Sequence, residues 1–337
     1  PLVIPPDEQA DVTIAFIESS GAKGLREQTL TIGSNADNSL AAEVTLKAAY
    51  MQGIEGGNEI DAQQAMDAFG YTTSMAGQPK PASDYPLPEE VDSGVHGDLI
   101  LSEFFVQADN SEPIRSIQLA ALHGPGGANF TMGPISHSHG GDWHQSLLPR
   151  LNNNTDEIAG GSGNTSGQFK ITVAGYSTSG SGGTNASTGL PNLLGLRVYI
   201  AKDRNGEVIP YSYIVLQDYI ANGCGAGSAN CDWNDNMYFV TNVRPLVNPS
   251  ALALADANAT AEVFFSYETA GAFDKGYPGN KLTWSANLAN LDALPEWLVI
   301  NESTGEISGT PPLTADEEYE IVVTATDLNG IDVSTSF

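Results

Sequence analysis

The sequence predicts an all-β chain built of tandem antiparallel β-sandwich modules with one short helix. Three observations predict it. Apolar residues recur at every second position in short runs, as in a strand with one buried face. The runs are separated by clusters of Gly, Ser, Asn and Pro, with 36 glycines and 19 prolines in 337 residues. Only one segment carries a helical pattern with both end signals, so the helical crossovers that parallel strands require are missing and the sheets should be antiparallel.

From the N-terminus, Val12, Ile14 and Phe16, then Leu30 and Ile32, then Val44 and Leu46 alternate with polar neighbours. Residues 1–52 therefore read as part of a sandwich whose opening strand is missing. The segment NEIDAQQAMDAF, within a linker spanning 53–84, is the helix, with Asn58 or Asp61 as N-cap and Gly70 as terminator. A proline-rich stretch from Gln78 to Pro88 acts as a semi-rigid connector.

Residues 85–247 form the largest module. Strands are expected at Asp98–Phe105, Ile114–Leu122, Gln168–Val173, Leu194–Ile200, Tyr211–Gln217 and Met237–Val243, and Gly160–Gly189 is expected to be mostly loop. Residues 248–337 make a further module with 14 acidic and 2 basic side chains, hence −12. In it Leu282, Trp284 and Ala286 alternate, as do Ile321, Val323 and Ala325. Both ends read as cut inside a domain or completed by something else, and no fixed-period repeat is visible.

Charge excludes several functions. With 41 acidic against 13 basic residues the chain carries −28, which repels nucleic-acid phosphates and anionic headgroups alike. No window reaches the length of a membrane span. Low charged content (16%) with abundant Gly, Ser, Thr and Asn fits a secreted or cell-surface protein. The two cysteines, Cys224 and Cys231 in CGAGSANC, read as a disulfide in an oxidising compartment, since their spacing is too long for a CxxC metal site and no second pair exists.

The segments LTWSA, LPEWLVINESTGEISGTP and YEIVVTATDLNG resemble the dystroglycan-type cadherin-like (Ig-type) domain of bacterial surface proteins. The resemblance implies a seven-stranded sandwich with Trp297 and Leu298 packed inward and a hairpin at the Gly305–Gly309 turn. Asp274 is followed by Lys275 where relatives carry an acidic calcium loop, which departs from the cation-binding pattern. GLREQTLTIGSNA resembles the end of an Ig-like domain of the abnormal-spindle and hydin type. GDLILSEFFVQAD, LGLRVYIAKDRNGEVIPYSYIVLQDY and DWNDNMYFVTNVRP are similar to an unnamed module of secreted bacterial proteins that also carry malectin-like sugar-binding domains, which implies a glycan-associated setting.

The sharpest chemical constellation is Asp218 at the end of one strand with Asp232, Asn234, Asp235 and Asn236 before the next. If the two strands pair, these oxygens converge as calcium requires. Asp and Asn also cap turns by bonding their own backbone, and the same residues fit that reading. Trp143, Tyr219 and Trp233, in polar loops, are candidates for stacking on a sugar face, with core packing as the alternative. All five histidines lie between His96 and His144, three of them in HSHGGDWH; without a strand or helix period they read as loop residues making ordinary hydrogen bonds rather than a zinc or copper site, and His123 as a buried structural partner. No catalytic motif stands out. The resulting expectation is a non-catalytic, calcium-stabilised segment of a larger bacterial protein that mediates adhesion or binds a surface polysaccharide. The alternative is a filament or stalk subunit joined to copies of itself by β-strand complementation.

Overall fold

The structure is a computed structural model describing residues 14–15, 17, 21–36, 39–53, 58–76, 88–123, 126–143, 145–152, 156–179, 195–219, 232–314 and 317–337, with the backbone alone at 34–36, 39–40 and 143. The Val12 and Phe16 positions of the first expected strand, and the Cys224–Cys231 pair, lie outside the described residues. Two compact units divide the chain, residues 1–60 and 61–337.

In the first unit β1 (Gly24–Ala36) and β2 (Ser39–Tyr50) form a two-stranded antiparallel ribbon. Opposite residues share a face, and the register sets Leu30 against Val44, Ile32 against Ala42 and Gln28 against Leu46. The alternation seen in the sequence thus collects the apolar residues on one side. Glu27 and Lys47 pair on the other, 3.4 Å apart.

The second unit opens with α1 (Ala62–Phe69). Asp61 is its N-cap: its carboxylate accepts the Gln64 N–H while the Gln64 side chain accepts the Asp61 N–H, so two N–H groups without helical partners are satisfied reciprocally. Gly70 ends the helix at φ 83°, a left-handed conformation that a Cβ disfavours. A second, five-residue helix, α2 (Pro88–Asp92), corrects the expectation of a single one; proline suits its first turn because no N–H is needed there.

Thirteen strands follow: β3 (Leu99–Ile100), β4 (Phe105–Gln107), β5 (Ile114–Ala121), β6 (Asn129–Met132), β7 (Ile135–Ser138), β8 (Ser146–Leu147), β9 (Gly160–Gly163), β10 (Ile171–Val173), β11 (Tyr176–Ser177), β12 (Leu196–Lys202), β13 (Val208–Gln217), β14 (Asn236–Thr241) and β15 (Val243–Pro245). The larger sheet runs β3-β12-β13-β14-β5-β8, with β9 also on β5, and the smaller runs β11-β10-β6-β7. Every pairing among the described strands of the chain is antiparallel, as the lack of helical crossovers required. Phe130 of β6 stacks on Tyr238 of β14 at 4.4 Å, so the sheets meet face to face. The glycine run at 160–163 is strand rather than loop. A Cβ on Gly160 would stand 2.6 Å from the Ser116 carbonyl oxygen, so only glycine lets β9 approach β5 this closely.

The remaining strands are β16 (Ser250–Ala251), β17 (Phe265–Glu268), β18 (Phe273–Asp274), β19 (Leu282–Leu288), β20 (Leu298–Ile300), β21 (Glu306–Gly309), β22 (Ile321–Asp327) and β23 (Asp332–Ser336). Two three-stranded sheets, β17-β21-β20 and β19-β22-β23, enclose Leu298, Ile307, Ile321 and Val323, with Trp284 and Trp297 packed on that core. The β20–β21 hairpin turns through Gly305 at φ 73°. These strands are tied to the central sandwich through Asn329. Its Oδ1 accepts the Tyr211 N–H at 2.9 Å, and its Nδ2 donates to the Tyr213 and Tyr277 hydroxyls at 3.2 and 3.3 Å. Lys275, the residue that departs from the acidic-loop pattern, pairs with Asp92 of α2 at 2.6 Å.

Candidate functional site

Strands β13 and β14 pair with Gln217 opposite Asn236, so the residues just beyond, Asp218 and Asp235, meet at the sheet end. All of Asp218, Trp233, Asn234, Asp235 and Asn236 are buried. The two carboxylates clasp opposite arms of the connection between the strands. Asp218 Oδ2 accepts the Trp233 N–H at 3.0 Å, and Asp235 Oδ2 accepts the Tyr219 N–H at 2.6 Å. The side-chain capping read as one option in the sequence is therefore present, and it works across the hairpin rather than within one turn.

The clasp has an electrostatic cost. Burial, then the neighbouring Asp235 charge, with a smaller push from Asp232, raises the Asp218 pKa to about 7, against the lowering effect of the Trp233 N–H. The Asn236 amide is taken up by other side chains: its Nδ2 donates to Gln217 Oε1 at 2.6 Å, its Oδ1 accepts from Gln118 Nε2 at 3.0 Å, and it also bonds the Tyr219 hydroxyl. Of the expected calcium donors, Asp218 and Asp235 are brought together with Asp232 close enough to act on Asp218, while the Asn236 amide belongs to the core. Among the described residues no group of three or more His, Cys, Asp or Glu side chains is arranged to hold a metal ion. Oxygen donors beyond the carboxylates would have to complete any calcium shell.

Trp233 is not an exposed stacking platform. It is 1% exposed, and the Arg197 guanidinium lies 3.9 Å from its ring centroid, a cation–π contact made strong by desolvation. Its backbone is left-handed, φ 59°, a conformation costly for a bulky residue and held here by the Asp218 clasp. Tyr219 is half-buried and stands 4.4 Å from His123, whose Nδ1 is 3.5 Å from Asp235 Oδ1. His123, with a side chain 40% exposed, is a neighbour of the acid cluster and not the buried core partner expected. The Trp143 side chain and His144 lie outside the described residues.

The other histidines also correct the sequence reading. His137 sits on strand β7 and His139 directly follows it, and both face the core, because residues two apart share a strand face. His137 Nε2 and Ser116 Oγ are 2.8 Å apart, and its ring stacks on Phe130 at 4.9 Å. Desolvation, then the His139 charge, lowers its pKa to about 4, so it is neutral at neutral pH. His139 donates from Nε2 to the Gly126 carbonyl at 3.0 Å, with Nδ1 3.3 Å from Gln118 Oε1. Gln217, Asn236, Gln118 and His139 thus form one buried polar chain between the sheets. The alternation Ile135, His137, His139 was its only sequence signal.

Residues 244–337 match the family model described as Putative Ig domain. The C-terminal part of the chain is Ig-like. The match covers the two sheets around Ile307 and Val323 and begins at Arg244, inside β15. No curated protein matches the chain by sequence. An Ig-like domain is compatible with an extracellular, adhesion-type segment, and among the described residues no helix is long and apolar enough to cross a membrane.

Proposed function

We propose that this chain is a non-catalytic, extracellular adhesion-type segment that binds a surface polysaccharide and is stabilised by calcium at the end of its central sheet. The observation that carries the reading is the Ig-like domain docked through Asn329 onto an acidic two-sheet sandwich, a rigid scaffold that presents loops and sheet faces to a ligand. The calcium part is supported by the buried Asp218–Asp235 pair. A divalent cation beside it would offset the burial, and then the Asp235 repulsion, that raise the Asp218 pKa.

Thermal melts test the metal. The expected result is a higher Tm in millimolar calcium than in chelator, abolished in Asp218→Asn. The increment should be larger at pH 8, where Asp218 is ionised, than at pH 5.5, where it holds a proton in place of the ion. Superimposable melts would leave the carboxylates as loop clasps alone. Glycan-array binding tests recognition separately, and silence across neutral and acidic polysaccharides would refute it.

One observation favours the filament reading. The β1–β2 ribbon has no third strand among the described residues and leaves Ile32 50% and Val44 42% exposed on one face. A two-stranded ribbon is marginal by itself, and a strand from a second copy would complete it. Sedimentation at high protein concentration distinguishes the readings, since a persistent monomer removes this one.

A further inference from the structure

The face of the larger sheet turned away from the smaller one is covered over β12 and β13, where Tyr199 and Ile214 are buried, and at its β9–β5–β14 end carries a groove of about 420 Å³ that lies apart from the acid cluster; Arg115, Ile117, Ser162, Phe239 and Thr241 are among its lining residues. Its volume falls within the roughly 300–1,000 Å³ range of small-ligand sites. The strand registers show how it is built. Arg115 of β5 is opposite both Ser162 of β9 and Thr241 of β14, while Ile117 is opposite both Gly160 and Phe239. Directly opposed residues share a sheet face. The face therefore presents two parallel rows, Ser162–Arg115–Thr241 and Gly160–Ile117–Phe239, the first of hydroxyls and a guanidinium, the second apolar. Gly160 carries no side chain, and Ser162 only a small one, which keeps this end of the sheet open. Tyr71, which follows α1, lies against Phe239 with ring centroids 5.0 Å apart and closes the apolar row at its far end.

We propose that this groove binds a pyranose unit of a neutral polysaccharide, which deepens the recognition reading above and rests on it. A pyranose has an apolar C–H face and a rim of hydroxyls that both donate and accept. Phe239 and Ile117 match the face, and Arg115, Ser162 and Thr241 match the rim. Charge selects the neutral class. Arg115 is 59% exposed in its side chain and paired to Glu112 at 3.6 Å, so the rim offers a donor fork and a carboxylate with no net charge. Around it the chain carries −28, which repels uronate-rich or sulfated polymers.

The test measures wild type, Arg115→Ala and Ser162→Trp against dextran, a mannan, a xylan, polygalacturonate and heparin by affinity electrophoresis, with calcium present throughout. Both positions are exposed, so circular dichroism and melting curves should match wild type, and any variant that differs is replaced by Thr241→Val. Wild type should bind at least one of the neutral polymers. Arg115→Ala should weaken that binding by about tenfold or more, the scale of a lost hydrogen bond to a charged group, and the indole of Ser162→Trp should abolish it by filling the groove. Wild-type binding that both folded variants retain would overturn the groove while leaving the recognition reading intact. Binding confined to the polyanions would overturn the neutral assignment. Failure of wild type to bind any of the five, together with a silent glycan array, would overturn both.

Discussion

Asp218 and His137 are two buried titratable residues with opposite consequences for stability. His137 is held at a pKa of about 4 in the fold against an ordinary 6.5, so between these values the unfolded chain binds the proton and the folded chain does not. Its contribution is complete above pH 6.5 and is lost as pH falls towards 4, on the order of 3 kcal/mol in all. Asp218, with a pKa raised to about 7, acts the other way: the folded chain holds the proton, and stability declines as pH rises from about 4 to 7. The two slopes overlap, so a melt of wild type alone cannot separate them. The expected outcome is that the Tm gap between wild type and His137→Asn narrows as pH falls from 6.5 to 4. A gap that stays constant would mean that His137 is protonated without penalty in its Ser116 and Phe130 surroundings.

At the scale of elements, local chemistry and tertiary pairing contribute differently. Helix α1 is specified within its own residues. The reciprocal Asp61–Gln64 bonds and the left-handed Gly70 bracket it, and Asp61→Ala should destabilise the second unit by about 1 kcal/mol, read as a lower urea midpoint with an unchanged slope. The strands with clear alternation, β5, β13, β19 and β22, lie close to where the sequence placed them. Those that were misread have little local signal. β9 is GGSG, a composition typical of loops, and it is a strand only because β5 offers an edge that no bulkier chain could approach. Strand β7 and His139 after it lacked a visible period because two of their core-facing positions, His137 and His139, are histidines rather than aliphatics. Their inward face becomes evident only with Ser116, Gln118 and Phe130 in place around it.

For the molecule as a whole, the joint between the central sandwich and the Ig-like sheets decides how the two are held against each other. Asn329 places one amide among a backbone N–H and two buried tyrosine hydroxyls, and the Lys275–Asp92 pair and the Gly279 N–H to Asp92 bond at 2.9 Å reinforce it. Burial raises the pKa of Tyr213 and, more strongly, of Tyr277, so both hydroxyls stay protonated and able to bond. Asn329→Ala leaves the Tyr211 N–H without this partner and the two hydroxyls bonded only to each other, at about 1–3 kcal/mol for a buried group left unpaired. The expected outcome is one melting transition for residues 61–337 in wild type and two in the variant, with faster protease cleavage near residues 246–250. A single unshifted transition would show that the Asp92 contacts and packing hold the joint without Asn329.

The all-β class, the antiparallel sheets and the capped helix were legible in the sequence, because each depends on periodicity, caps and turns that neighbouring residues encode, while the Ig-like C-terminal part was legible through the resemblance of its LPEWLVINESTGEISGTP and YEIVVTATDLNG segments to a known family. The sequence brought Asp218 to the loop holding Asp235 on the condition that the two flanking strands pair, and they do. The tertiary structure decided what those residues do there. It turned Asn236 into the core, buried Trp233 beneath Arg197, brought His123 to the acids and aligned Arg115 with Ser162 and Thr241 across three strands. Those outcomes depend on which strands become neighbours and in what register, and contacts between residues far apart in the chain fix both.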